Sequence, residues 1–185
     1  MDILSQIEAI VTESATGPLQ YGYVDIAAVK FYPEIRKICE KNTCRNYAAS
    51  WACPPAVGTL EVCQARLRKY DKMLLFAQVY PLKNSFDFRG MMAAMQDFKQ
   101  MSHQLQLNLH PLLADFLILS NEGCGRCKVC TYPDAPCRFP EFLQHSLEGY
   151  GLLVNDLAKA AGVRYNNGPN TVTYFGALVF HEEKS

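Results

Sequence analysis

The chain has 185 residues with 18 basic and 18 acidic side chains, a formal charge of zero, and 49% apolar residues. That is enough apolar material for one folded domain, and the neutral balance speaks against disorder and against nucleic acid as the main partner. No apolar run reaches eighteen residues, and the N-terminus lacks a basic region leading into an apolar one, so neither a membrane span nor a signal peptide is expected.

Ile3, Ile7 and Ile10 recur at helical spacing and predict a first helix that stops at Gly17-Pro18. The apolar run 24–31 reads as a strand, and Pro33 then opens a short helix over 34–39. Residues 40–58 are irregular, and 59–70 form a helix with Thr59 as its N-cap. A strand over 73–80 ends at Pro81. The longest helix spans 88–109, with Met91, Met95, Phe98, Met101, Leu105 and Leu109 on one face. That methionine-rich stripe reads as core packing. A buried strand at 116–119 feeds a cysteine-rich loop; helices over 141–150 and 152–161 follow, the second closed by Gly162. Residues 166–170 form a turn before a last strand over 171–180. This alternation predicts an α/β fold, with α+β as the alternative: one domain, a small mixed sheet flanked by helices, and cysteine loops at the element ends.

Eight cysteines without an export signal favour metal ligation over disulfides, and a reducing cytoplasm. Cys124, Cys127, Cys130 and Cys137 are spaced C-x2-C-x2-C-x6-C. Three thiolates in close succession suit the corners of a four-iron four-sulfur (4Fe–4S) cluster better than a zinc knuckle, which uses separated pairs. Gly123 and Gly125 give the loop its backbone freedom. Cys39, Cys44 and Cys53 form a second set, with Cys63 as its fourth ligand. Cys63 also lies beside Leu60 and Leu67 on an amphipathic helix, where a thiol packs as a small hydrophobe. Two 4Fe–4S clusters are thus expected. Arg45, Arg126 and Arg138 flank the two sets and are the cations expected to stabilise the clusters' negative charge. The histidines are scattered, Ser146 reads as a helix cap, and no nucleotide loop occurs.

Three segments carry a family resemblance: Cys39 to Tyr47 followed by Trp51-Ala-Cys53-Pro54-Pro55; Gly123 to Cys130 followed by Pro136-Cys137-Arg138; and Ser146 to Gly151 leading to Thr173-Tyr-Phe-Gly176. The chain resembles the predicted metal-binding proteins of the domain of unknown function 2284 along nearly its whole length. The resemblance implies an iron–sulfur protein of the kind found in anaerobic bacteria and archaea, and brings no reaction with it. Ala48 stands where such proteins often have glycine. The leading expectation is electron transfer with a cytoplasmic redox partner protein, without nucleic acid or membrane. The alternatives are an iron–sulfur enzyme with an open iron and a zinc-stabilised interaction module.

Overall fold

The computed structural model describes residues 2–182. Helix α1 (Ile3–Ser14) is capped by Asp2, whose carboxylate accepts from the Ser5 amide at 2.9 Å. Strand β1 (Leu19–Asp25) follows, then helices α2 (Pro33–Glu40) and α3 (Leu60–Leu67), strand β2 (Lys72–Pro81) and helix α4 (Phe88–Leu109). Strands β3 (Phe116–Ser120) and β4 (His145–Ser146), helix α5 (Val154–Ala161) and strand β5 (Thr171–Phe180) complete the set. One mixed sheet runs β1-β2-β5-β3-β4. All pairs are antiparallel except β3 with β4.

The two-residue period of the strands divides the core into two layers. Met73, Leu75, Ala77, Phe175, Ala177 and Val179 face one side, against Leu67 of α3 and Leu157 and Ala158 of α5. Leu74, Phe76, Leu178 and Phe180 face the other, against Ile7 and Val11 of α1 and Phe98, Met101, Leu105 and Leu109 of α4. The sheet therefore lies between helical layers, an α/β arrangement. A Cβ on Gly22 would lie 2.0 Å from the Ala161 carbonyl oxygen, so glycine there lets the end of α5 sit on β1.

Two expected elements differ. The strand expected over 24–31 lies earlier, at Leu19–Asp25. Asp25 ends it by accepting from the Ala27 amide at 2.9 Å, which starts a 3-10 turn at Ile26–Ala28. The helix expected over 141–150 is two 3-10 turns, Pro140–Phe142 and Glu148–Tyr150, around β4. Its amides bond elsewhere: Ser146 to Ala52 O and Leu147 to Ser120 O, both at 3.0 Å. The side chain of Gln144 is buried and bonds Ser102 and Gln106 of α4. Tertiary partners thus replace the helical ladder.

Candidate metal centre

Because β3 and β4 are parallel, with Ser120 opposite Ser146, their carboxyl ends open on the same edge of the sheet. In open α/β sheets that edge is where ligands bind. Here β3 leads into Asn121, Glu122 and the second cysteine loop, while β4 leads into Glu148.

Against this edge stands a cavity of about 320 Å³ lined by Cys39, Cys44 and Cys53 together with Ile35, Ile38, Tyr47, Pro54, Glu122, Ser146 and Glu148. Cys39 comes from the last turn of α2. Arg36 fixes that helix, donating to Gly149 O at 2.6 Å and Gly58 O at 2.8 Å. Cys44 and Cys53 come from the irregular segment 41–58, shaped by Ala48 N to Pro54 O at 2.8 Å and Tyr47 N to Asn42 Oδ1 at 3.0 Å. Ala48 adopts φ +53°, a left-handed conformation that glycine holds without strain. The Pro54-Pro55 peptide is cis.

Burial pushes the Cys53 thiol up to about 12 and raises Cys39 as well. Burial also raises the carboxyl of Glu148, and its charge disfavours both thiolates. Left to themselves these thiols hold their protons, and a bound cationic centre releases them. The Ser146 hydroxyl lies 3.6 Å from Cys53 Sγ and accepts from Gly149 N at 3.0 Å, so it caps the 3-10 turn and steadies the thiol together.

Cys63 does not line this cavity. It is fully buried on α3 in the apolar layer, with Sγ 3.6 Å from Val57 O and 3.8 Å from Gly149 O. Cys63 thus stands in the apolar layer, off the wall that Cys39, Cys44 and Cys53 line.

Cys124, Cys127, Cys130 and Cys137 are partly exposed on one loop. Thr131 Oγ1 bonds Pro136 O at 2.8 Å and Arg138 bonds Val129 O at 2.9 Å, folding the loop on itself. The two cysteine segments touch. Trp51 donates to Ala135 O at 3.1 Å and meets Tyr132 edge-on at 4.9 Å between centroids. A Cβ on Gly123 would lie 2.6 Å from Asn46 Oδ1.

Of the three flanking arginines, Arg126 and Arg138 make contacts within the fold. Arg126 lies over the Phe142 ring at 4.8 Å and beside His103, Arg138 holds the loop, and Arg45 is exposed at φ +62°. The buried cation is Lys99 of α4, 8% exposed. Its ammonium donates to the carbonyls of Asn121 and Gly123, and to Ser120 Oγ at 3.3 Å. Burial draws it down to about 8, while Cys124, Glu148, Cys53 and Glu122 hold it up. Lys99 therefore stands within electrostatic reach of both cysteine sets. His103 Nε2 meets Cys124 O at 2.9 Å. The sequence carries a signal for this face: Lys99, Ser102, His103 and Gln106 form a polar stripe at helical spacing beside the apolar one.

All eight cysteines are free thiols. Among the described residues, no three His, Cys, Asp or Glu side chains converge on a single ion. A cubane asks for something different, since each sulfur ligates its own iron and the ligands stand apart. The thiol cavity, at about 320 Å³, holds roughly ten times the ~30 Å³ share of one water. Its donors and its size fit a polyatomic inorganic group. The model for the family described as predicted metal-binding protein, domain of unknown function 2284, matches residues 22–180. The chain belongs to that family. Comparison with curated proteins and with solved structures gives no match. The family match covers every cysteine of this predicted metal-binding protein, Cys39 through Cys137. Among the described residues no helix is long and apolar enough to cross a membrane.

Proposed function

We propose that this protein is a cytoplasmic iron–sulfur redox enzyme. Cys124, Cys127, Cys130 and Cys137 hold one 4Fe–4S cluster. Cys39, Cys44 and Cys53 hold a second, with one iron left without a thiolate. Such clusters supply one-electron transfer. The observation that carries the reading is the cavity with three thiols on its wall and Cys63 turned into the core. Four thiolates at each centre describe an electron carrier; three beside a cavity open to solvent at Cys44 and Ile38 favour a small molecule meeting the metal.

The other residues support the same reading. Ile35, Ile38 and Tyr47 give the cavity apolar walls. Lys99, coupled to Cys53 and Cys124, offsets negative charge at both sets. The partly exposed loop of Cys124 offers a redox partner protein a small docking patch, which is all a transient electron-transfer encounter needs.

Anaerobic purification with iron, sulfide and EPR analysis tests the proposal. About eight irons and as many sulfides per chain are expected, with about half lost in Cys127→Ser and the other half in Cys53→Ala. Cys63→Ala should keep the full complement. Stoichiometric zinc without sulfide overturns the iron–sulfur reading, and a Cys63→Ala loss equal to that of Cys53→Ala overturns the three-thiol centre.

A further inference from the structure

β5 pairs with β3 only over Ala177–Phe180, whereas β2 and β5 run on together until Pro81 stands opposite Thr171. That two-stranded arm reaches past the edge from which the cysteine loops leave the sheet. Its crown is the connection from β2 to α4, residues 82–87. Phe86 is 92% exposed there and Phe88 is 71% exposed, with Met92 also exposed one helical turn further on.

Polar groups build this tip while the rings stand outside it. Asn84 accepts from Phe86 N at 2.9 Å, and Asp87 accepts from Lys83 N at 3.1 Å and from Gly90 N at 3.0 Å. Leu82 N bonds Asn170 O at 2.8 Å, which ties the loop to the turn before β5. A hydrogen-bonded loop thus holds two phenylalanines in water, where apolar surface is unfavourable. Lys83 and Arg89 are exposed on either side of them. The ion pairs among the described residues, Lys72–Glu182 and Asp71–His181, involve neither. Asp87 is the one acid in 81–92, and it sits on the N-terminus of a 22-residue helix, which offsets part of its charge. The neighbouring turn, 165–170, has no charged residue.

We infer that this tip inserts Phe86 and Phe88 into the surface of an anionic lipid bilayer, with Lys83 and Arg89 against the headgroup phosphates. Shape decides for lipid over protein. Two rings standing out singly do not make a flat patch of the about 800 Å² per partner that a stable protein interface buries. A fluid interface accepts separate rings without a matching pocket. Two copies meeting tip to tip would set Lys83 and Arg89 against their own kind, which speaks against a dimer. An anionic surface instead attracts each of them. Among the described residues no helix is long and apolar enough to cross a membrane, so the contact is peripheral. It departs from the expectation of a protein without a membrane partner. It needs no iron, and so stands whether or not the proposed function does.

Flotation of the anaerobically purified protein with lipid vesicles tests the contact. Binding is expected on phosphatidylcholine and phosphatidylglycerol mixed in equal parts, about tenfold weaker on phosphatidylcholine alone, and weaker on the mixture at high salt. Phe86→Ala and Phe88→Ala should each weaken binding to the mixture about tenfold. Both rings are exposed, so the unfolding midpoints of these variants should match wild type, which separates lost contact from lost fold. Lys83→Gln combined with Arg89→Gln should erase the preference for the anionic vesicles. No binding to either vesicle, equal binding to both, or binding that the phenylalanine variants leave unchanged overturns the inference. A wild-type dimer in light scattering that Phe86→Ala dissolves would give the tip to a second copy and overturn it as well.

Discussion

Replacing Lys99 by methionine removes a charge and every donor of its ammonium from a place with almost no water. The methionine keeps an aliphatic stem against α4, so the loss is confined to the ammonium. Two carbonyl oxygens, of Asn121 and Gly123, then lose their partner. Each buried group left unsatisfied costs about 1–3 kcal/mol, so a stability loss of about 3 kcal/mol follows, towards the lower end because loop carbonyls can turn to water. The charge acts separately. With Lys99 gone, added negative charge on the clusters proposed at the Cys53 and Cys124 sets would be less well stabilised, and reduction of both would become harder. Lys99→Arg keeps the charge and strains the packing, so it should lower stability while holding the potentials near wild type. Denaturant unfolding of the anaerobic holoprotein reads the first effect, and redox titration followed by EPR reads the second. A methionine variant as stable as wild type, with unmoved potentials, would refute both parts of the argument.

Three further outcomes are expected. Ala48→Gly relieves a left-handed alanine and should stabilise the fold by about 1 kcal/mol in the same unfolding assay. Burial, aided by Arg66, depresses His145 from 6.5 to about 4, so the folded state binds fewer protons than the unfolded chain between those values. Its contribution is full above pH 6.5, and about 3 kcal/mol of stability is lost as the pH falls towards 4. His145→Gln should flatten that part of the stability profile, and an unchanged slope would remove His145 as its source. Removing metal with a chelator should raise amide hydrogen exchange first in residues 41–58 and 121–140, which are irregular and carry ordering costs of about 1 kcal/mol per residue. Exchange there that ignores the chelator would show that the loops hold their shape alone.

The regular elements are legible where one pattern dominates. The helix over Phe88–Leu109 and the strand over Thr171–Phe180 lie where the spacing of their apolar and β-branched residues puts them. Legibility ends where a side chain chooses a distant partner. Asp25 turns an apolar run out of the sheet, and Gln144 and Ser146 spend their bonds on α4 and on Ala52. The site follows the same division. The cysteine motifs stand in the sequence, but which thiols share a cavity depends on where α2 and α3 aim them: Cys39 outwards, Cys63 into the core. Glu122 and Glu148 read as unremarkable acids until the parallel pair β3–β4 brings them to one edge. Lys99 shows only as one member of a polar stripe beside the apolar face of its helix.

The bond from Ser146 N to Ala52 O has a consequence beyond the site. β4 is the last strand of its sheet, only two residues long, and the segment carrying Cys44 and Cys53 lies along its outer side. An uncovered sheet edge is a template for another chain. Here the cover is the stretch that carries two of the proposed metal ligands, Cys44 and Cys53. If that stretch orders on the proposed metal, chains made without it would present a bare β margin to one another, and metal supply would govern their solubility before it governed their chemistry.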